Sequence, residues 1–401
     1  MRKIITLIIL AGSIISCTNN NNDKKTESAA IRQMASPASD SCAEPFLFTD
    51  KNGLVYLSWI EKIGKESKLK FSSLTNEQWA EPTTIASGDN WFVNWADYPV
   101  IAGDGNGNLM AHYLEKSALG KFTYDVKYKT SSDKGLTWSN AKILHDDGKQ
   151  AEHGFVSMVP FGEKFFLSWL DGRNAAAMEG AGHEGHHGEM TIRGAVVSKD
   201  GVKENEWELD SRVCDCCQTS AAITANGPIV VYRDRSAEEI RDISIVRLVN
   251  GKWTEPKTIF PDQWKITGCP VNGPSTDAIG NSLVIAWFSM PDKSGQVNLL
   301  FSEDGGETFN KPIRIDEGKP IGRVDVLMLD ENTAMVCWME GAVIKAVRVN
   351  KNGTKETSTV IASSSESRSS GFPQMTRAGN KLIFAWTDSK EKKIKLASNS
   401  L

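Results

Sequence analysis

Residues 213–219 read Val-Cys-Asp-Cys-Cys-Gln-Thr and place three thiols, Cys214, Cys216 and Cys217, within four positions. A buried cysteine can pack as a small apolar side chain, but packing does not require three of them beside an aspartate. Clustered thiols point to a metal, a disulfide or redox chemistry. A fourth thiol, Cys269, lies in Gly268-Cys269-Pro270-Val271-Asn272-Gly273-Pro274, where two prolines and two glycines shape a stiff loop. Imidazoles come from His183-Glu184-Gly185-His186-His187-Gly188-Glu189-Met190. Thiolates with imidazole suit zinc, and a thiolate-rich set with a methionine suits copper(I). The expected ligands are Cys214, Cys216, Cys217, Cys269, His183, His186 and His187, with copper ahead of zinc. A disulfide between Cys269 and one of the three clustered thiols is the competing use, and it would leave two thiols over. The spacing fits no finger-type zinc signature. The histidine stretch alone also reads as an ordinary solvent-facing, glycine-rich loop. Cys337 lies inside an apolar strand and reads as inert core, while Cys42 opens the first repeat, either free or bridged.

These segments are far apart in sequence, so the fold must bring them together. From about residue 43 the chain repeats an apolar strand that ends in Trp or Tyr, at Trp59, Tyr113, Trp169, Tyr232, Trp287, Trp338 and Trp386. The spacing of about 48 to 63 residues is that of a four-stranded propeller blade. Helical periodicity is nearly absent. The expected fold is all-β, a seven-bladed propeller, with six blades as the alternative. The last repeat stops after three strands, and Ile31-Arg32-Gln33-Met34-Ala35-Ser36 resembles the missing fourth. It is expected to pair into the last blade, close the ring and hide its edges. The Cys214 stretch then enters the fourth blade, the Cys269 loop the fifth, and His153 the third. The histidine loop joins strands of the third, so all open on one face of adjacent blades.

Two turns, Ser131-x-Asp133-x-Gly135-x-Thr137-Trp138 and Ser302-x-Asp304-x-Gly306-x-Thr308-Phe309, resemble the Asp-box hairpins of the bacterial sialidase-like superfamily. The box caps a turn and reports architecture, not activity. The resemblance implies an exo-sialidase as one candidate, with three arginines gripping the substrate carboxylate and a Tyr-Glu pair as nucleophile and helper. No Arg-Ile-Pro motif occurs, and Ala43 to Tyr56 contains no arginine. The nearest catalytic pieces are Asp171-Gly172-Arg173 and Arg233-Asp234-Arg235, so Asp171, Arg173, Asp234 and Arg235 are the candidates. Surface ion pairing is their plainer reading. Two residues after each aromatic strand end stand Glu61, Glu115, Asp171, Asp234, Ser289, Glu340 and Asp388. Glycosidic acid–base work needs two carboxylates, not a ring, so each is expected to accept hydrogen bonds from its own loop.

At the start, Arg2 and Lys3 precede an apolar run, Ile4 to Ile15, too short to favour a spanning helix. It ends Ile14-Ile15-Ser16-Cys17, which resembles a bacterial lipobox. The resemblance implies residues 1–17 as a lipoprotein signal peptide with Cys17 lipidated, and Thr18 after it favours the outer membrane. Residues 18–30 are polar and read as a tether, with residues 31–401 as one propeller domain. The net charge of −4 gives no sign of a nucleic-acid surface. The expected protein is a lipid-anchored envelope propeller whose cysteine face binds a metal, or does thiol redox chemistry, without hydrolysis. The alternatives are an exo-sialidase-like hydrolase acting on acidic glycans and a partner-binding module.

Overall fold

The seven aromatic-ended segments are strands Val55–Ile63, Leu109–Lys116, Lys164–Asp171, Gly227–Arg233, Ser282–Ser289, Thr333–Glu340 and Lys381–Asp388. Most of their residues are buried on both faces, because each blade packs against its neighbours front and back. That double burial is why they read as continuous apolar runs and not as alternating ones. In the computed structural model, which describes residues 31–175 and 188–401, each is the second strand of an antiparallel sheet. There are seven such sheets of four or five strands, and their first strands follow one another around a central axis. The chain is a seven-bladed β-propeller, not a six-bladed one. Arg32–Met34 pairs antiparallel with Lys393–Ser400, with Gln33 opposite Ala397, and so closes the last blade as expected. Among the described residues no helix is long and apolar enough to cross a membrane.

Two of the repeated tryptophans account for the acids that follow them. Trp169 donates its indole N–H to Asp171 at 2.9 Å, and Trp338 donates to Glu340 at 2.8 Å. In the fifth blade, where Ser289 replaces the acid, Trp287 turns to Asp262 at 2.6 Å. A buried indole needs an acceptor, and a carboxylate two residues on supplies it. Asp388 instead caps its loop, accepting from the backbone N–H groups of Lys390 and Glu391 at 3.0 Å. The acidic ring is thus largely an architectural device.

A second set of acids joins the blades near the axis. The backbone N–H groups of Phe155, Met328 and Met375 donate to Asp97, Asp277 and Asp325, each at 2.7 Å. Each bond runs from one blade to the blade before it. Burial pushes the Asp97 and Asp325 carboxyls up to about 7, although these same backbone bonds oppose the shift.

The two Asp boxes are nearly superposable turns. Ser131 donates to Asp133 at 2.7 Å and Ser302 to Asp304 at 2.7 Å; Thr137 and Thr308 N–H donate to those aspartates at 2.9 Å. Gly135 and Gly306 take φ of 83° and 88°, a region that disfavours other residues. The first strand of the second blade is Ile101–Gly103 and starts after Pro99, which has no N–H to give to a ladder.

Candidate functional site

The thiol loop is tied down at both ends. Cys214 N–H donates to the Arg233 carbonyl at 3.0 Å, and Val213 N–H to Met190 at 2.9 Å. Gln218 reaches back to the Ala96 carbonyl at 2.6 Å and accepts from Gly273 N–H at 3.0 Å. The loop carrying Cys269 is thereby stitched to the thiol loop. At Gly273 the backbones come so close that a Cβ would stand 2.1 Å from the Gln218 carbonyl oxygen. Arg233 completes the join: buried and stacked over Trp264, it donates to the carbonyls of Asn272 (3.0 and 2.8 Å), Arg241 (2.6 Å) and Phe288 (2.6 Å).

This scaffold gathers four sulfurs. Cys214 Sγ lies 3.6 Å from Cys217 and 4.0 Å from Cys216, and all three fall within 4.8 Å of one another. Cys269 on the facing loop is near enough to Cys216 for the two thiols to shift each other's acidity. Cys214 and Cys217 are buried, Cys216 is half-buried and Cys269 is exposed, so the cluster opens to solvent at one corner. None of the six described cysteines is bridged. Cys337 is buried core, as its strand position implies.

The charges around the sulfurs are uneven. Arg241, itself buried, donates to Cys214 Sγ at 3.1 Å and to Glu239 at 3.0 Å. Burial alone would push Cys214 up, but the bonds from Cys216 and Cys217 and the charges of Arg241 and Arg233 hold it well below the ordinary thiol range. Cys269 is also lowered, chiefly by its bond from Cys216. Cys216 is raised because it donates to its neighbours, and Cys217 is raised by burial. The cluster therefore presents a thiolate at Cys214 beside a guanidinium, a second thiol lowered at Cys269, and neutral thiols between them.

Separated from this by Glu152 lies a tyrosine–carboxyl group. Tyr124 donates to Glu152 at 2.9 Å and lies 3.1 Å from Asp97. Burial pushes Glu152 up to about 8, with Asp97, Asp215 and Cys269 adding to the shift and the tyrosine bond opposing it. Tyr124 is raised well above the usual phenol range, by burial first and then by both acids. An activated nucleophile would need the opposite shift.

The other sequence candidates are accounted for individually. Arg173 forms a two-pronged pair with Asp171, at 2.8 and 2.7 Å, and both are occupied by it. Asp234 accepts from Arg235 N–H at 2.6 Å and Ser244 at 3.0 Å. Arg235 pairs with Glu239 at 2.8 Å and Asp215 at 3.4 Å, which places it beside the thiol loop. Arg323 stacks over Trp95 and gives its donors to carbonyls and Ser370. The central cavity of about 260 Å³ is lined by Asp97, Asp277, Asp325, Gln218 and Gln374 among hydroxyl and apolar side chains, and among the described residues no lysine or arginine lines it. His183, His186, His187 and Cys17 lie outside the described residues. His153 is not part of the thiol cluster; it is buried with His145, Asp147 and Asp171 at the entrance to the third blade.

The Asp boxes, the seven antiparallel blades and the ring closure define a sialidase-like propeller. The chain belongs to the BNR repeat-like domain family, whose model matches residues 64–383. No curated protein matches the chain. Among solved structures it is similar to the polysaccharide lyase Uly1, at 9% identity and TM-score 0.54, over 92% of this chain and 92% of that one. It also resembles the K499G mutant of NanB sialidase from Streptococcus pneumoniae, at 10% identity and TM-score 0.46 over 92% and 94%. The Hadza microbial sialidase Hz136 matches at 13% identity and TM-score 0.45; the match covers 74% of this chain and 63% of that sialidase. At these identities the likeness is one of fold.

Sequence reading missed several parts of the site. Arg241 stands 27 residues after Cys214, and no motif links them. Gln218 had a signal, since a long polar side chain directly follows the thiols. Asn272 had one too, as the polar residue within the Pro/Gly loop. Tyr124, Glu152 and Asp97 carry no spacing pattern.

Proposed function

We propose that the thiol cluster is a soft-metal site, and that the protein binds copper(I) on the open face of its propeller. The observation that carries this reading is the three cysteine sulfurs within 4.8 Å of one another. Two ligands on one ion, with metal–sulfur bonds of about 2.3 Å, stand about 3.8–4.0 Å apart. The 3.6 and 4.0 Å separations suit that with little movement. The donor set is all sulfur, which favours a soft ion. Arg241 favours the thiolate form of Cys214 and offsets part of the negative charge that several thiolates would bring. Cys269, on a separate and exposed loop, is placed to complete the set or to pass the ion on. Zinc with four thiolates is the nearest competitor; a disulfide through Cys269 would leave two thiols, too few for an all-sulfur zinc site but enough for a two-coordinate copper(I).

The test is a competition titration of anaerobically purified protein with copper(I) against a colorimetric chelator. One ion per chain is expected, with affinity falling at least a hundredfold in Cys216→Ser and Cys214→Ser and less in Cys269→Ser. A thiol count below three in the native protein, or unchanged copper affinity in Cys214→Ser, would sink the proposal. Residues 1–17 as a lipoprotein signal belong to the same reading and place the site in the bacterial envelope, the outer membrane favoured. Incorporation of labelled palmitate, lost in Cys17→Ala, checks the anchor.

Glycan hydrolysis is the second reading. The Tyr124–Glu152 pair and the family membership favour it. The central cavity, free of lysine and arginine, and the occupied Arg173 and Arg235 weigh against an acidic sugar. Sialic acid release that disappears in Tyr124→Phe and in Arg235→Ala would restore it.

A further inference from the structure

The hairpin tips that join second to third strands differ in charge around the ring. In the first, second and seventh blades they read Lys62-Ile63-Gly64-Lys65, Lys116-Ser117-Ala118-Leu119-Gly120-Lys121 and Ser389-Lys390-Glu391-Lys392-Lys393. That is seven lysines against one glutamate, in a chain of net charge −4. The seventh blade abuts the first and the first abuts the second, so these tips are consecutive on one rim. The other described tips have no such excess. The fourth sets Arg235 and Arg241 against four acids, the fifth carries Asp292 and Lys293, and the sixth, Gly341-Ala342, is uncharged.

Two further features set this sector apart. The first is that the acids near the tips are taken by other lysines: Glu61 by Lys70, Glu66 by Lys68, Glu115 by Lys127, Glu391 by Lys395 and Asp40 by Lys393. Lys62, Lys65, Lys116, Lys121, Lys390 and Lys392 are exposed and form no ion pair among the described residues. Lys121 lies over the Phe122 ring at 5.1 Å. Asp89, on the loop into the second blade, is an exposed acid on the same rim. The second feature is apolar. Leu119 is fully exposed, at 107%, and Ile63 is 54% exposed. A single exposed aliphatic residue is ordinary on a protein surface. Here both stand between lysines at the tips of the basic hairpins, and that pairing suits the boundary between lipid headgroups and acyl chains.

We propose that this sector of the seventh, first and second blades docks on an anionic lipid bilayer. Leu119 and Ile63 enter the headgroup layer, and the unpaired lysines face lipid phosphates, an attraction that salt screens. The proposal rests on the envelope-anchor reading for the presence of a bilayer, and the length of the N-terminal segment permits it. Arg32 lies opposite Ser398 and Met34 opposite Leu396, so the chain enters at the far rim and runs towards the docking rim. A blade strand such as Val55–Ile63, of 9 residues, spans about 30 Å at ~3.3 Å per residue. The thirteen residues 18–30, at ~3.3 Å each, reach about 43 Å, enough to lead from a lipidated Cys17 past the blade. The same orientation leaves the thiols free. In a ring of seven, the fourth and fifth blades lie farthest from the first, and the loops of Cys214 and Cys269 enter those two. The bilayer contacts one sector of the rim, and the thiol corner stays open to solvent.

The experiment uses the chain from Thr18, which keeps every described strand, the ring-closing Arg32–Met34 included, and lacks the acyl anchor. Its sedimentation with phosphatidylcholine vesicles containing about 30% phosphatidylglycerol is compared with that on phosphatidylcholine alone. Binding is expected on the anionic vesicles only, and about 0.5 M salt should abolish it. The triple change Lys62→Glu, Lys65→Glu and Lys392→Glu should weaken it at least tenfold, and Leu119→Asp at least threefold. All four side chains are exposed, so both variants should keep the wild-type thermal midpoint and copper affinity. Equal binding to neutral vesicles, no binding to either, or no effect of the lysine reversals overturns the proposal. Binding that follows the lysines but is unchanged in Leu119→Asp, and that a soluble polyanion matches, overturns it in favour of a soluble acidic partner. Vesicle binding by a protein whose Cys17 takes up no palmitate supports the surface while removing the anchor.

Discussion

The thiol cluster and the imidazole cluster lie on neighbouring blades, yet they are built in opposite ways. The thiols come from two loops that enter consecutive blades, stitched together by Gln218, Gly273 and Arg233. The imidazoles and their carboxylates come from the third strand of one blade, the loop after its fourth strand, and the first two strands of the next. One cluster opens to solvent at Cys269, whereas the other is enclosed. A loop-built site can move to admit or release an ion. A cluster built across strands of two blades changes only by loosening the junction between them. On the copper proposal the thiols suit exchange, whereas the imidazole cluster suits support.

Arg233 offers the most forceful way to break that contrast. It gives four hydrogen bonds to three carbonyls on three blades or loops and is 1% exposed. Arg233→Met would leave those carbonyls buried without donors, at a cost of about 3–5 kcal/mol in urea unfolding. The Cys269 loop should detach with it, so copper affinity should fall while the His145–His153 junction stays intact. Equal loss at both clusters would show that they are one unit.

Gly273→Ala tests the same stitch more gently. A methyl 2.1 Å from the Gln218 carbonyl forces one backbone to retreat, which costs about 1–3 kcal/mol. The expected readout is faster alkylation of Cys269, freed from Cys216, with the His145–His153 stack unchanged.

How each cluster reads in sequence follows from this construction. Loop sites carry their chemistry in short runs, so Cys214, Cys216, Cys217 and the Pro/Gly loop around Cys269 stood out. The repeat supplied the step from far apart to adjacent. Positions 125, 145, 147, 153 and 171 are spread over four segments, and nothing in a linear pattern marks five polar residues converging across a blade junction. Asp171 did stand out, but as one of a ring of acids, whose indole-accepting role hid its second neighbour, His153. The blades themselves were legible because each second strand is buried on both faces and ends in an aromatic residue. The inter-blade acids Asp97, Asp277 and Asp325 were not, since an aspartate beside an inner strand looks like any turn residue.

Acidity separates the thiol face from the axis. Arg241→Met removes the charge beside Cys214, so that thiol should titrate higher, and its alkylation near pH 7 should slow about tenfold. Near the axis the sign is reversed. In the unfolded chain Asp325 loses its proton near pH 3.8, but in the folded protein it keeps it to about 7. Between those values the folded state holds more protons, so this group makes stability fall as pH rises through the window from about 4 to 7. Asp325→Asn can still accept from Met375 N–H and carries no proton to lose. It should flatten that slope and gain about 1–2 kcal/mol over the wild type at pH 8, measured as unfolding midpoint against pH.

The smallest effect expected is also the control for the contrast between the two clusters. Asp304 caps an Asp-box turn of the fifth blade, accepting from Ser302, Thr308 N–H and the Thr308 hydroxyl. It is largely solvent-facing, and its pKa of about 2 arises from those bonds working against partial burial. Replacing it with alanine removes one capped turn and nothing from either cluster. The thermal midpoint should drop by about 2 °C, with copper uptake unchanged. The turn belongs to the hairpins that join third strands to fourth, and both clusters belong to the opposite, loop-entering side of the blades. A loss of copper affinity in Asp304→Ala would mean that the blades transmit strain from rim to rim, and the contrast between a movable thiol loop and a fixed blade junction would fail.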